Sequence, residues 1–287
     1  MILFKDKVRL ILAGLHFNEV YGSSFMGDEE QSDERSNGGL FGAKAEAVEV
    51  ANPIAQDKKY LRSSLKLLLL KVVQANTRFF SSVAAFEIGK VFARHGEGVA
   101  EKLSLGLVLA EKKQPEAALR LKGSVRHLLE DIGLPEFAFV EHAGYLHIET
   151  NGQTIGELSL VDAGKQWAAA LVEFDMEKLL EAARPQRAFS PLARHPSVMR
   201  DLSLFVKKSV RIGDIVDAIS AASPKLVEDV DWIDAYADEE MIALGGQSLA
   251  FRIVFQAHDR TLNDEEVNSE TEKIAAMLRE KFGAQIR

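Results

Sequence analysis

The residue types best suited to chemistry gather in one stretch near the C-terminus of the sequence. His258, Asp259 and Arg260 are followed closely by three consecutive acids at Asp264–Glu266. A histidine beside carboxylates can act in general acid–base catalysis, because one group takes up a proton while another releases one. The same residues could also begin a helix, so their spacing has to decide between a catalytic cluster and a structural one.

The spacing favours the start of a helix. Asn263 is a preferred N-cap residue, and Glu266 follows it at the three-residue interval of a capping box. Acids in a first turn are stabilised by the helix dipole, and Gly283 stands where such a helix would end. We therefore interpret the acids as structural and place the histidine, aspartate and arginine on the turn before the helix.

The composition limits the classes of protein to which the chain can belong. Its 287 residues favour two domains, and a hydrophobic fraction of 47% is enough for packed cores. A formal net charge of −8 argues against nucleic-acid binding through bulk positive charge. The sequence has no cysteine, which excludes disulfides and thiolate metal sites.

No apolar run is long enough to span a membrane, and charges interrupt the N-terminal segment Ile2–Leu15. That segment indicates an amphipathic helix rather than a signal peptide, so we expect a cytoplasmic protein without membrane contact. His142 and His147 lie five residues apart in a strand-like segment, which predicts opposite faces and therefore no shared metal. The sequence thus predicts neither a metal site nor a catalytic residue.

Hydrophobic periodicity predicts an α+β chain whose first part mixes helices with a long-stranded sheet. A polar segment, Gly27–Glu46, indicates a loop, and Asn151-Gly152 indicates a hairpin turn. The expected helices are Ile2–Leu15, Tyr60–Gln74 and one within Ala117–Leu134 that ends at Gly133, and the clearest strands are Val83–Phe92 and Leu103–Lys112.

A second pattern follows the proline-containing segment Arg184–Val198. Its order is strand, helix, strand, strand, helix, strand, which predicts a ferredoxin-like βαββαβ domain. Two helices would cover one face of its four-stranded sheet and leave the other face open to a partner. We place the boundary so that the domains are 1–190 and 191–287.

The predicted open face carries residues that could bind RNA. Strand alternation puts Arg252 on this face, and it puts Trp232 and Tyr236 on one side of the neighbouring strand. An aromatic ring beside an arginine on an open sheet can stack unpaired bases. The aromatic residues could instead belong to a core or a domain interface.

Three further arginines, Arg194, Arg200 and Arg260, stand at the ends of predicted strands. They could contact phosphates as bidentate donors, or they could pair with nearby carboxylates such as Asp201. The candidate RNA-binding residues are therefore Arg194, Arg200, Trp232, Tyr236, Arg252 and Arg260.

Two motifs in the second part are specific in combination: "PSVMRDL" at 196–202 and "DRTLNDEEV" at 259–267. The first part adds "FEIGKVF", "LKGSVRHLLEDIGL" and "GQTIGEL" in the same order. With these motifs, nearly the whole chain resembles the C-terminal part of bacterial phenylalanyl-tRNA synthetase beta subunits. The resemblance implies a class II synthetase-like antiparallel sheet domain that has lost its active site, followed by an anticodon-binding ferredoxin-like domain.

The resemblance also implies the partners and the division of labour. An alpha subunit would supply the chemistry with ATP, Mg²⁺ and phenylalanine, while this chain would need no cofactor, scaffold the alpha subunit and contact tRNA within a heterotetramer. The sequence itself is consistent with a loss of activity, because activating an amino acid with ATP requires arginines at the phosphates. Where the resemblance would place an arginine-bearing helix, the chain has Glu177 and Lys178.

The sequence also departs from the family pattern. "GGQS" at Gly245–Ser248 replaces the usual Gly-Lys-Lys-Ser and removes two positive charges. The tRNA-binding and editing modules that precede this region in the full subunit are not in the sequence, so we expect a fragment or a shortened relative. Two alternatives remain open: a ferredoxin-like regulatory module that binds a small ligand, and a stand-alone structural paralogue.

Overall fold

The computed structural model describes residues 1–31, 40, 46–53, 55, 57–96, 98–112, 116–134, 136–142, 145–164, 166–184 and 194–286. The chain divides into two compact units, Met1–Ala188 and Phe189–Arg287. The boundary expected between residues 190 and 191 falls within 185–193, outside the described residues. None of the helices in the described part of the chain is long and apolar enough to cross a bilayer.

The first unit is built on a seven-stranded, mainly antiparallel sheet. Its elements are α1 (Ile2–Gly14), β1 (Asn18–Glu19), β2 (Phe25–Met26), β3 (Val48–Glu49), β4 (Tyr60–Leu61), α2 (Lys66–Asn76), β5 (Ser82–His95), β6 (Gly98–Lys112), α3 (Ala117–Ile132), β7 (Ala138–His142), β8 (Tyr145–Thr150), β9 (Gln153–Asp162), β10 (Trp167–Asp175) and α4 (Met176–Ala182). The strand order in the large sheet is β1-β5-β6-β10-β9-β8-β7, and β2, β4 and β3 form a separate small sheet.

The structure differs from two of the sequence-based predictions in this unit. The helix predicted from Tyr60 begins only at Lys66, because Tyr60 and Leu61 pair with β2 and β3 as a strand. Of the predicted loop at 27–46, residues 28–31 form a helical turn, and 32–39 and 41–45 lie outside the described residues. The predicted hairpin turn between β8 and β9 is confirmed, with φ of 50° at Asn151 and 73° at Gly152, as a type I′ turn requires.

Helices cover both faces of the large sheet. On one face, α1 and α3 pack over alternate strand residues such as Leu107, Val172 and Phe174. On the other face, α2 contributes Leu69 and the rest of its apolar side to a smaller core. The strands alternate between these two cores, so each strand carries a defined set of residues to the α2 side.

The second unit has the predicted ferredoxin-like order. Its elements are β11 (Val198–Lys207), α5 (Ile212–Ala222), β12 (Val227–Tyr236), α6 (Glu239–Ala243), β13 (Gly246–Phe255), α7 (Asp264–Phe282) and β14 (Gln285–Ile286). The sheet order β12-β13-β11-β14 is that of a βαββαβ domain, with α5 and α7 packed over buried residues of β11 and β13. The short helix α6 was not predicted, because five residues carry too little periodicity to be recognised.

The stretch from His258 onwards is a helix start, as the spacing predicts. The Asn263 side chain accepts a hydrogen bond of 2.8 Å from the backbone N–H of Glu266, and Gly283 ends the helix in the left-handed conformation. Arg260 donates two hydrogen bonds to the Glu266 carboxylate, at 2.7 and 3.0 Å. Arg260, Asn263 and Glu266 are therefore committed to holding the turn and the helix together.

Asn263→Ala should lower the free energy of unfolding of the second unit by about 0.5–2 kcal/mol, because one N–H of the first turn loses its acceptor. Urea denaturation would measure the loss, and Asn263→Ser, which keeps an acceptor oxygen, is the matched control. An alanine variant as stable as the serine variant would contradict the capping role.

Candidate functional site

A row of carboxylates crosses the α2 side of the large sheet. The strand register aligns Glu87 on β5 with Gly106 on β6, and Gly106 with Glu173 on β10. The same register continues from Glu173 to Glu157 on β9 and then to His147 on β8. We call Glu87, Glu173 and Glu157 the carboxylate row. Because directly opposed residues point to one side of a sheet, the three side chains share one face.

Residues 62–66, which lead into α2, cover the carboxylate row. Arg62 Nη1 lies 2.8 Å from Glu87 Oε1, and both side chains are at most 2% exposed. Glu173 accepts hydrogen bonds from the Ser64 hydroxyl at 2.6 Å and from the Leu65 backbone N–H at 2.9 Å. Lys66 Nζ lies 2.5 Å from Glu157 Oε1. Residues 62–66 thus meet the carboxylates in the order in which these cross the sheet.

Closure of the row determines what this face can do chemically. A magnesium ion or a general base would require a carboxylate with open lone pairs, whereas Glu173 also accepts a third hydrogen bond, from Ser104 at 2.8 Å. Glu157 is held by its ion pair with Lys66. Glu87 accepts no hydrogen bond from the described residues, but it is only 1% exposed and lies against the Arg62 guanidinium. Among the residues that the structure describes, no group of three potential metal ligands occurs.

A cavity of about 290 Å³ lies beside the carboxylate row. Its lysines are engaged: Lys102 Nζ lies 3.2 Å from Asp175 Oδ2, and Lys178 Nζ donates a 2.9 Å hydrogen bond to the Thr154 carbonyl. Lys178, which stands where the family resemblance would place an arginine-bearing helix, therefore anchors α4 to β9. The cavity also borders Leu40, whose neighbours on both sides are outside the described residues.

The prediction that His142 and His147 point to opposite faces is wrong. The two rings contact each other edge to face, with centroids 5.9 Å apart. The reason is that the segment folds back as the β7–β8 hairpin, in which Val140 opposes His147 and His142 opposes Tyr145. The histidines therefore lie on adjacent strands and on the same side.

The open face of the ferredoxin-like sheet is acidic. Arg252 lies on it, as predicted, because its neighbours Phe251 and Ile253 are fully buried under the helices. The register places Asp201 on one side of Arg252 and Asp231 on the other. Arg252 donates hydrogen bonds of 2.8 and 2.9 Å to Asp201, and these bonds hold the pKa of the Asp201 carboxyl below its ordinary value.

Trp232 and Tyr236 do not share a side, contrary to the simple alternation predicted for β12. A register shift between Trp232 and Asp234 inserts one residue, so that Trp232 opposes the buried Phe251 while Tyr236 opposes Ser248. Trp232 therefore lies on the helix side, with its indole N–H donating a 2.9 Å hydrogen bond to the Asp234 carbonyl. Only Tyr236, 59% exposed, belongs to the open face.

The remaining predicted arginines differ in how they are held. Arg200 donates a 2.7 Å hydrogen bond to Asp264, and Arg260 is bound by Glu266, so both pair with carboxylates at the start of α7. Arg194 is exposed and forms no ion pair with the described residues. Arg200 and Arg260 therefore follow the alternative of pairing with carboxylates. Their partners are not the acids nearest to them in the sequence.

An aromatic row occupies the other end of the open face. Tyr236, Ser248 and Phe205 oppose one another across β12, β13 and β11, and we call these three residues the aromatic row. Phe205 covers Gly246, where a side-chain carbon would lie only 2.1 Å from the ring. The face thus changes along the strands from carboxylates around Arg252 to aromatic rings at the start of β13.

Helix α1 presents apolar side chains to solvent. Leu3 and Leu10, seven residues apart on one side of the helix, are 85% and 75% exposed. Helix α2 differs, because it buries Leu69 and Val73 completely.

Sequence reasoning missed the carboxylate row. The available signal was a single acid within an otherwise apolar strand, as at Glu87 in "VAAFEIGKVF" and Glu173 in "AALVEFD". A charged residue in such a context is buried only when it has a partner. The partners themselves, at residues 62–66, could not be assigned without the fold.

The two folds together define a broad class of protein. The chain combines a class II synthetase-like antiparallel sheet domain with a ferredoxin-like domain. It is similar in fold to pyrrolysyl-tRNA synthetase from Desulfitobacterium hafniense, with a TM-score of 0.51 and 18% identity, over 62% of this chain and 67% of that one. At this identity the similarity concerns the fold alone.

Family comparisons are more specific. Residues 2–155 match the phenylalanyl-tRNA synthetase beta chain CLM domain, and residues 193–287 match the ferredoxin-fold anticodon binding domain. The chain belongs to the phenylalanyl-tRNA synthetase beta chain family. Phenylalanine–tRNA ligase beta subunits from Syntrophotalea carbinolica and Symbiobacterium thermophilum are 30% and 32% identical to it, over 98% and 83% of this chain. The aligned regions cover 38% and 29% of those subunits.

Proposed function

We propose that this chain is a non-catalytic part of a phenylalanine–tRNA ligase, which supports an alpha subunit and contacts the anticodon region of tRNA. The closed carboxylate row carries the first half of this proposal. In the whole enzyme, ATP and Mg²⁺ would be bound by the alpha subunit, since the carboxylates of the row are engaged by the chain's own residues. We expect the assembly, a heterotetramer by the family resemblance, to work in the cytoplasm.

The chain alone should therefore give no phenylalanine-dependent exchange of pyrophosphate into ATP. The reason is that Glu87, Glu173 and Glu157 are all engaged by residues 62–66, and that Arg62 is buried in its ion pair with Glu87. The measurement is exchange at saturating ATP and phenylalanine, with a preparation depleted of host synthetase. Exchange that persists after this depletion would contradict the non-catalytic role.

The exposed apolar side of α1 supports the assembly with an alpha subunit. Leucines 85% and 75% exposed on one side of a helix form the kind of surface that proteins cover with a partner. Exposed leucines on α1, with none of comparable exposure on α2, favour α1 as the contact element.

The aromatic row supports contact with unpaired bases. A ring such as Tyr236 can stack on any base, and the neighbouring Asp234 can accept hydrogen bonds from base amino and imino groups. The acidic end of the face, around Asp201 and Asp231, would repel phosphates. Of the residues predicted to bind RNA, we retain Tyr236 for stacking and Arg194 as a donor, whereas Arg252 is held by Asp201 at the acidic end of the face.

A further inference from the structure

We propose that Lys207 and Lys208 hold the RNA backbone beside the aromatic row, an inference that rests on the proposed tRNA contact of the second unit. The two lysines end β11 and enter the turn before α5. Neither was singled out from the sequence. Their position relative to the open face and the way in which other cations are engaged both point to this role.

The second unit offers few positions at which a phosphate could bind. Between residues 194 and 286 there are seventeen acidic and eleven basic residues. Several of the basic side chains are committed: Arg200, Arg252, Arg260 and Lys273 each form an ion pair with a carboxylate. A phosphate that approaches one of these side chains would have to displace the paired carboxylate, or it would be repelled by that carboxylate.

Lys207 and Lys208 differ from these paired side chains. Both are exposed, and neither forms an ion pair with the part of the chain that the structure describes. No acid occurs in the sequence between Asp201 and Asp214, so the lysines have no carboxylate within several residues on either side. Their charges therefore remain available to an anion from outside the chain.

The fold places these charges next to the aromatic row. Phe205 of that row opposes Ser248, and two residues further along the strand Lys207 opposes Gly246, a displacement of about 7 Å at 3.4 Å per residue. The Lys208 backbone N–H donates a 2.9 Å hydrogen bond to the Gly245 carbonyl, which fixes the turn against the start of β13. Lysine side chains at this distance from Phe205 reach the phosphates that flank a base lying over the aromatic row.

The arrangement also gives the RNA a direction across the sheet. The backbone would pass the lysine end, while the bases would lie over the aromatic row and approach the carboxylates near Asp234. Each lysine that neutralises one phosphate releases condensed counterions, so its contribution appears in the salt dependence of binding. A stacking residue contributes to affinity without this salt dependence.

The experiment is a titration of the full chain into fluorescently labelled tRNA with a phenylalanine anticodon, repeated between about 25 and 200 mM KCl, a range over which such contacts weaken measurably. For Lys207→Ala/Lys208→Ala, the plot of log association constant against log salt concentration should become less steep by about two. Each phosphate that is no longer neutralised accounts for one. The matched control, Lys225→Ala/Lys281→Ala, removes two other exposed lysines and should keep the wild-type slope. Lys207→Arg/Lys208→Arg should also keep it.

Circular dichroism of each variant would verify that the fold is retained. A wild-type slope in Lys207→Ala/Lys208→Ala would overturn the lysine assignment while leaving tRNA binding intact. Equal reductions of the slope in the test and control variants would do the same, because they would indicate diffuse attraction. Absence of tRNA binding by the wild-type chain would instead overturn the proposed tRNA contact, and the lysine assignment with it.

Discussion

Glu87→Gln should lower the free energy of unfolding of the first unit by about 3–5 kcal/mol, the range for removing one partner of a buried ion pair. The substitution keeps the size of the side chain but leaves the Arg62 guanidinium, 2% exposed, without its carboxylate. Arg62 would retain the hydrogen bond that its Nε donates to the Lys90 carbonyl at 2.9 Å, so the loss reports mainly on the charge pair. Gly89 leaves the space that the guanidinium fills, since a side-chain carbon there would lie 2.1 Å from Arg62 Nη2.

Urea denaturation followed by Trp167 fluorescence, in a Trp232→Phe background, would isolate the first unit. The matched control is Glu101→Gln, because the Lys90–Glu101 pair lies on the surface of the same sheet, with side chains 59% and 47% exposed. An exposed pair contributes at most about 1 kcal/mol. Replacing both buried partners, as in Arg62→Met/Glu87→Leu, should cost far less than the single change. Equal losses for Glu87→Gln and Glu101→Gln would show that the row is not closed as described.

Leu3→Lys/Leu10→Lys should weaken association with a phenylalanine–tRNA ligase alpha subunit by at least about a hundredfold. Each leucine that moves from water into an interface contributes about 1.5–3 kcal/mol, and 1.4 kcal/mol is a factor of ten in affinity. Both side chains are exposed in the isolated chain, so the substitutions should leave the unfolding transition unchanged.

Sedimentation velocity of the chain mixed with the alpha subunit would measure this association. Leu160→Lys is the control, because Leu160 on β9 is 76% exposed and lies outside α1. Undiminished association of the double variant, or an equal loss in the Leu160 variant, would remove α1 as the contact element.

The elements that could be predicted from the sequence are those with a local cause. The N-cap at Asn263 and the turn at Asn151-Gly152 depend on a few neighbouring residues, and the structure confirms both. The outward position of Arg252 follows from a two-residue period in β13. In each case the determining interactions lie within one element or one turn.

The features that could not be predicted depend on residues far apart in the chain. Glu173 meets Ser64 across more than a hundred residues, so neither side chain signals the other in the sequence. The separation of Trp232 from Tyr236 arises from one inserted residue in β12, which a regular alternation cannot reveal. The ring contact of His142 with His147 required knowing where the chain turns back.

The most direct test of the proposed function is a titration of the full chain, at low salt, with a tRNA bearing the phenylalanine anticodon and with one bearing another. We expect weak binding that favours the phenylalanine anticodon. Tyr236→Ala should remove about 1–3 kcal/mol of it, as expected for one stacked base, while Trp232→Ala on the helix side should change it little. Absence of binding to either tRNA, together with tight binding of a small metabolite, would contradict the proposed tRNA contact and support a regulatory module.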